Sequence, residues 1–188
     1  MQKNIGSVMG LYPTPVTVVG VLVDEKVNFI TIAHVGIVEH GAFLISIDKS
    51  HAYTNHGIQE NNTVSVNLVN YSMLKAADYC GIAKGATTDK SGVFKYHFGE
   101  LLTAPIIDEA PISMECKVVD SFSFGNFTNY ILKPVNTYVQ EEYLNEKGKI
   151  DYEQVGPILF EFQNAQYLSI GKVIGKAWRL VKYLNADR

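Results

Sequence analysis

The run Pro15-Val-Thr-Val-Val-Gly-Val-Leu-Val23 is followed at once by Asp24-Glu25-Lys26 and then by Val27-Asn-Phe-Ile-Thr-Ile-Ala33. Two runs rich in β-branched residues around a short polar turn read as a hairpin of buried strands. Ala42-Phe-Leu-Ile-Ser-Ile-Asp48 reads as a third strand, and the alternating Thr63-Val-Ser-Val-Asn-Leu-Val69 as a fourth. Between these two, Ser50–Glu60 carries Ser and Thr suited to capping, and a short helix is expected from about Tyr53.

Beyond the fourth strand the pattern changes. Ser72–Cys80 reads as a helix with Ser72 as its N-cap and Gly81 near its end. Ala83–Gly92 is polar and glycine-rich, a loop. A helical turn is expected near Val93–His97, and Leu101–Pro111, with two prolines, should be irregular. Strands resume at Ile112–Val119, at Phe122–Phe124 before a Gly125-Asn126 turn, at Asn129–Gln140 and at Ile158–Phe162. Pro134 should bend the Asn129–Gln140 strand, because proline cannot donate to a central ladder. Asn145–Lys149 reads as a hairpin tip, and the tail Val173–Leu184 is ambiguous between strand and helix. Such an order predicts one mainly β domain over residues 1–188, a closed barrel with a helical excursion, α+β overall.

Composition sets bounds on function. The 188 residues hold 16 Lys plus Arg against 19 Asp plus Glu, a formal charge of −3. Nucleic-acid binding is therefore not expected. Hydrophobic residues at 47% are enough for a core, and the 9 Phe, 11 Tyr and 15 Gly suit strands and tight turns. The first residues lack an apolar signal-like region and no run reaches membrane-helix length, so a cytoplasmic, non-membrane protein is expected. In that compartment Cys80 and Cys116 are expected as free thiols.

Most catalytic motifs are absent. There is no G-x-G-x-x-G, no G-x-S-x-G and no H-E-x-x-H. Gly171-Lys-Val-Ile-Gly-Lys-Ala177 mimics a phosphate-binding P-loop but has too short a spacer and lacks the Ser or Thr that would hold magnesium. No metal site and no catalytic acid–base cluster are expected. What remains is a set of strand ends and loops: Thr31–His34, Ser46–Ser50 with Thr54 just inside the helix, and Ala83–Lys90. Hydroxyls and N–H groups at a helix start can hold a phosphate. The same residues also read as ordinary caps and a solvated loop.

In order and spacing these stretches resemble the flavin reductase-like FMN-binding split barrels, and more closely their flavoredoxin branch. The resemblance rests on Pro13–Val19, Asn28–Ala33, Ile45–Ile47 with Tyr53-Thr54 and Ile58, Ala77–Gly81 with Lys84 and Asp89-Lys90, Ala104-Pro105 with Ala110–Glu115, and Tyr167–Gly171. It implies a six-stranded split barrel of Greek-key type and a homodimer with FMN near the interface, FAD being the less favoured flavin. It implies electron transfer through the flavin, fed by NAD(P)H or, alternatively, by another redox protein. Carried over by position, Thr31, Ile32, Ala33 and His34 would lie along the isoalloxazine ring, with Asn28 among the cofactor-binding residues. Ser46, Ile47, Asp48 and Lys49 would meet its edge and the ribityl chain. Ser50, Tyr53 and Thr54 would approach the phosphate, Lys84, Gly85 and Ala86 would close over the cofactor, and Lys90 would help to balance the phosphate charge. Where relatives carry arginine beside the Tyr-Thr pair, this chain has His51 and Ala52, leaving the phosphate charge to the Lys84–Lys90 loop. Four residues also have plainer readings: His34 as a strand-end histidine satisfied locally, Cys80 as packing, Trp178 as an interface residue, and the strand aromatics as core.

Overall fold

The computed structural model describes residues 1–180. Along the chain lie β1 (Thr14–Pro15), β2 (Thr17–Val23), β3 (Lys26–Ile32), β4 (Val35–Glu39), β5 (Ala42–Asp48), α1 (Ala52–Asn61), β6 (Thr63–Leu68) and α2 (Leu74–Ile82). There follow β7 (Tyr96–His97), β8 (Ile106–Ile107), β9 (Ile112–Phe124), β10 (Phe127–Val139), α3 (Tyr152–Val155), β11 (Ile158–Glu161) and β12 (Gln166–Ser169). The large antiparallel sheet has the order β3-β2-β6-β9-β10-β5-β4.

Its two edge strands are neighbours in sequence, separated only by Ala33 and His34. One run of chain therefore serves both edges, and the sheet is curled on itself. Counting β3 and β4 as one stave, the barrel has six, as the sequence resemblance implies. The His34 carbonyl accepts from the Ser46 N–H at 2.9 Å and fastens the crossing to β5. The split lies where β3 leaves β5: β3 pairs with β2 alone, and its second edge carries no strand.

Inside the barrel pack Val19, Val21, Ile30, Ile45, Ile47, Val64, Val66, Tyr130 and Leu132, with Ile58 of α1 plugging one end. Outside β2 and β3 a second cluster joins Val16, Val18, Phe29, Met73, Ala77, Cys80, Phe94 and Ile107. Burial on both faces explains why Thr17–Val23 is almost uninterruptedly apolar. Both cysteines are fully buried and free, as expected for Cys80 as a packing residue, and burial pushes their thiols up to about 11 and about 12.

Several expectations are corrected. Ser72 does not cap α2; Asn70 caps a 3-10 turn, Tyr71–Met73, that leads into it, and the Ser72 hydroxyl donates to Asn70 Oδ1. Val93–His97 is not helical, and its last residues form β7 against β8, which lies in the stretch expected to be irregular. Ile112–Phe124 is one strand rather than two, since Asp120 and Ser121 continue the ladder with β10. Strand β4, mostly exposed, was not signalled by any apolar alternation. α1 starts at Ala52, and His51, not a serine or threonine, occupies its N-cap without a side-chain bond. The bend at Pro134 is present, as a bulge in the β9–β10 register between Pro134 and Asn136. From 173 to 180 the tail forms neither strand nor helix; the rest of that expectation lies outside the described residues.

The segment 95–110 is pinned to the barrel's outer face by polar side chains. Ser65 Oγ donates to the Pro105 carbonyl, and Asn67 Oδ1 accepts from the Ile107 N–H at 3.1 Å. The fully buried Glu115 carboxylate accepts from Leu101 N–H, Asn136 Nδ2 and Tyr138 O–H at 2.9, 3.0 and 2.8 Å. A Cβ on Gly99 would lie 2.6 Å from Glu115 Oε1, so only glycine lets the chain pass over this carboxylate. Burial pushes Glu115 up, but these bonds outweigh it and leave its carboxyl below the ordinary 4.5. Its stabilising contribution is thus complete above that value and is lost as pH falls through the lower folded one. Glu115→Gln is expected to destabilise the fold by about 2–3 kcal/mol at neutral pH, since an amide cannot accept from three donors as a carboxylate does. Urea titrations should show the gap from wild type shrinking as pH falls below 4.5; a gap that widens in acid would contradict the reading.

Candidate functional site

Two concavities flank the segment 81–86, and β3 contributes to both. The first, about 350 Å3, is lined by Asn28 of β3, Tyr53 of α1, Gly85, Ala86, Thr87 and Lys90, with Asp24 and Lys26 at its mouth. The second, about 280 Å3, is lined by Thr31, Ala33, His34, Ile82, Phe160, Phe162 and Tyr167 among others.

In the first concavity, Lys90 is the unusual group. It is 2% exposed, and Nζ donates to the carbonyls of Cys80 and Ala83 at 3.3 and 3.1 Å. No carboxylate lies within ion-pair distance of it among the described residues. Burial therefore pulls its pKa down, and a negative charge nearby would be strongly favoured. Asp24, Lys26 and Asp89 are exposed and screened, so the buried cation dominates the local field. Burial, then Asp24 and Asp89, push the Tyr53 phenol up, so it remains protonated. Asn28 Nδ2 donates to Thr54 Oγ1 at 3.0 Å, both groups being buried. The Gly85 backbone lies against this pair: a Cβ there would come within 2.4 Å of Asn28 Oδ1 and 2.9 Å of Tyr53 Cδ1.

The second concavity is aromatic. The Tyr12 and Phe162 rings stack with centroids 6.1 Å apart, and Phe160 meets Phe162 edge-on. Tyr167 O–H donates to Asp78 Oδ1 at 2.7 Å; burial, reinforced by Asp78, pushes the phenol up to about 12. His34 is exposed, packs edge-on against Phe127, and has Nε2 3.4 Å from Tyr12 Oη, the local partner expected of a strand-end histidine. Thr31 Oγ1 donates to the Ala77 carbonyl and ties β3 to α2.

Twelve of the sixteen residues expected from sequence fall into three places. Asn28, Tyr53, Gly85, Ala86 and Lys90 gather in the first concavity, and Thr31, Ala33 and His34 in the second. Ser46, Asp48, Lys49 and Ser50 line neither. They form a shelf beside His34: Ser46 Oγ donates to Asn129 Oδ1 at 2.6 Å, Lys49 Nζ to the Gly125 carbonyl, and the Ser50 N–H to Asp48 Oδ1. The Ser50 bond leads the causes that hold the Asp48 carboxyl below its ordinary value. Ile32 and Ile47 are core, Thr54 is buried on Asn28, and Lys84 is exposed outside both concavities. Sequence reasoning passed over Phe160, Phe162 and Tyr167. They read as a plain alternating strand and its neighbour, and only the small sheet β1-β11-β12 brings them to the end of β3.

Residues 9–169 match the family model described as flavin reductase like domain. The flavoredoxin of Methanosarcina acetivorans superposes with a TM-score of 0.92 at 34% identity, over 98% of this chain and 99% of that one. The flavoredoxin of Desulfovibrio vulgaris (Miyazaki F) gives 0.88 at 28% identity, over 95% and 98%. An FMN-binding protein from Thermus thermophilus shares the fold at 0.77 and 22% identity, over 94% and 97%.

Replacing Thr54 by valine keeps its shape but leaves the buried Asn28 amide without its acceptor. Thr54→Val is expected to cost about 1–2 kcal/mol in chemical denaturation, and an unchanged midpoint would show that Asn28 has another partner.

Proposed function

Because the chain belongs to the flavin reductase like domain family, we propose that it is a flavoprotein oxidoreductase that moves electrons through bound FMN. The observation that carries the assignment to FMN is the strandless edge of β3, running between a concavity with a buried, carboxylate-free cation and one walled by aromatic rings. That donor set suits a ligand with an anionic end and a flat apolar end.

In this reading Lys90 holds the charge of the phosphate end, with the hydroxyls of Thr87 and Thr88 beside it. Gly85 lets the loop backbone lie close, and the backbone groups of β3 offer hydrogen bonds to the polar edge of the ring. Phe160, Phe162 and Tyr167 exclude water from its face. When bound, the flavin supplies the redox chemistry, so the protein needs no acid–base cluster of its own. The Tyr167 phenol, held by Asp78, stays protonated and offers no competing anion. His34 is the one histidine lining the second concavity among the described residues, with Nε2 3.4 Å from Tyr12 Oη.

The shelf of Ser46, Asp48, Lys49 and Ser50 finds a role in the same proposal if a second copy covers it. Ile37 and Val38 of β4, which pairs with β5, and Phe122 and Phe124 at the end of β9, one strand beyond β10, lie exposed, an apolar margin suited to a homodimer. No helix among the described residues is long and apolar enough to cross a membrane. Two free buried thiols favour a cytoplasmic location.

The purified protein is expected to carry, or to take up, yellow FMN, and sedimentation should give a dimer. Gly85→Val should weaken FMN binding by at least about tenfold and also lower the melting temperature, since its side chain would press on the buried Asn28 and on Tyr53. Anaerobic mixing of the FMN-loaded protein with NADH or NADPH is expected to bleach the flavin. Bleaching by dithionite alone would instead mark an electron carrier, and a colourless protein that ignores added FMN would overturn the assignment.

A further inference from the structure

The end of the barrel plugged by α1 carries three side chains of the kinds that hold metal ions. Asp24 sits in the turn between β2 and β3, and His56 and Glu60 lie on α1. Residues four apart on a helix share one face, so the imidazole and the second carboxylate are neighbours. The donor atoms of all three lie within 4.8 Å of one another, and no other group of three or more His, Cys, Asp or Glu does so among the described residues. All three side chains are exposed, so an ion can reach them.

His56 Nε2 is 3.8 Å from Asp24 Oδ1, too far for a hydrogen bond. It is close to the spacing of two ligands on one ion: tetrahedral donors at about 2.0–2.2 Å from zinc stand roughly 3.3–3.6 Å apart. No lysine or arginine lies within ion-pair distance of either carboxylate among the described residues. The fold sets this spacing. Gly57, beside His56, is buried, and a Cβ there would come within 2.3 Å of the Leu22 carbonyl oxygen, so glycine lets α1 lie directly on the end of β2. Asn61 Nδ2 donates to the carbonyls of Leu22 and Gly57 at 3.0 and 2.8 Å, and Ile58 is locked in the core. The turn that carries Asp24 and the helix face that carries His56 and Glu60 are thus held together. Spacing along the chain does not show the group, because Asp24 comes from a different element.

One imidazole nitrogen and two carboxylate oxygens, with no thiolate, suit zinc or a neighbouring divalent transition ion. Calcium and magnesium favour shells made of oxygen alone. The ion displaces a proton from the imidazole wherever one is bound, so protonation of the ring changes the affinity and not the ligand set. We propose that Asp24, His56 and Glu60 form a surface site for a divalent transition-metal ion of the zinc class, which staples the β2–β3 turn to α1. Three protein ligands leave a fourth position to water. Asp24 also stands at the mouth of the first concavity, but His56 and Glu60 do not line it, and the site does not depend on the flavin reading.

Zinc chloride is the probe, titrated by calorimetry into the full-length protein as purified, after dialysis against a chelator. One ion per chain is expected. Manganese, which is paramagnetic, should broaden backbone amide NMR signals most strongly around 24 and 56–60. Zinc should raise the melting temperature, because the three ligands come together only in the folded chain. His56→Gln should weaken zinc binding by at least about tenfold and abolish that rise, and Asp24→Asn and Glu60→Gln should each weaken binding several-fold. His97→Gln, which alters the other histidine–carboxylate pair, should bind zinc as wild type does. Affinity should fall in acid, where protons compete for the imidazole. The proposal is overturned if zinc shows no saturable binding, or if His56→Gln binds it as tightly as wild type, the mark of an adventitious ion only. It is overturned equally if magnesium chloride matches zinc, the mark of a plain acidic patch. Broadening centred on other residues, or loss of binding in His97→Gln, would place the ion elsewhere and overturn it as well.

Discussion

The barrel depends on the crossing at Ala33-His34. A strand that ends one edge of a sheet must, two residues later, begin the opposite edge, and this is possible only if the sheet is strongly curled. The His34 carbonyl bonded to the Ser46 N–H holds the two edges at that distance. Because β3 and β5 diverge from the crossing, one edge of β3 is left without a strand. The two concavities along β3 lie beside that uncovered edge. The core inside the barrel, the helix that plugs its end and the aromatic wall from β11 and β12 all take their places around it.

A second constraint acts on the outer face of the barrel. Hydrophobic packing alone would leave 95–110 free to slide over the barrel, since apolar contacts lack direction. The directed bonds from Ser65, Asn67 and Glu115 fix it in register. Asn67 does this from both ends of its amide, giving its Nδ2 hydrogens to the Val18 carbonyl and Ser65 Oγ while its Oδ1 takes the Ile107 N–H. Polar groups in a buried place specify geometry here, with the carboxylate of Glu115 compensated entirely by neutral donors.

The strands were legible because period and β-branching speak for themselves: Pro15–Val23, Ala42–Asp48 and Thr63–Val69 stand close to where the pattern put them. Strand β4 escaped because its residues are exposed on an edge and carry no apolar alternation. The cap of α2 was misplaced because Asn70 and Ser72 are both good caps, and only the intervening 3-10 turn decides between them. For the site, Asn28, Thr31, Gly85 and Lys90 were reachable through resemblance, while their division into two concavities was not. That Lys90 is buried against carbonyls, and that Phe160 and Tyr167 face the end of β3, are products of tertiary packing with no local signal.

An unpaired β-strand edge is also a template on which a foreign chain can add itself. Here β3 is only seven residues long and begins with a lysine. Its flank is held by α2, through the Thr31 hydroxyl on the Ala77 carbonyl. Those are the means by which folded proteins blunt such an edge. A molecule lying permanently along it would complete the protection, so the feature that makes room for a ligand also makes the empty protein the form more exposed to aberrant strand addition and self-association.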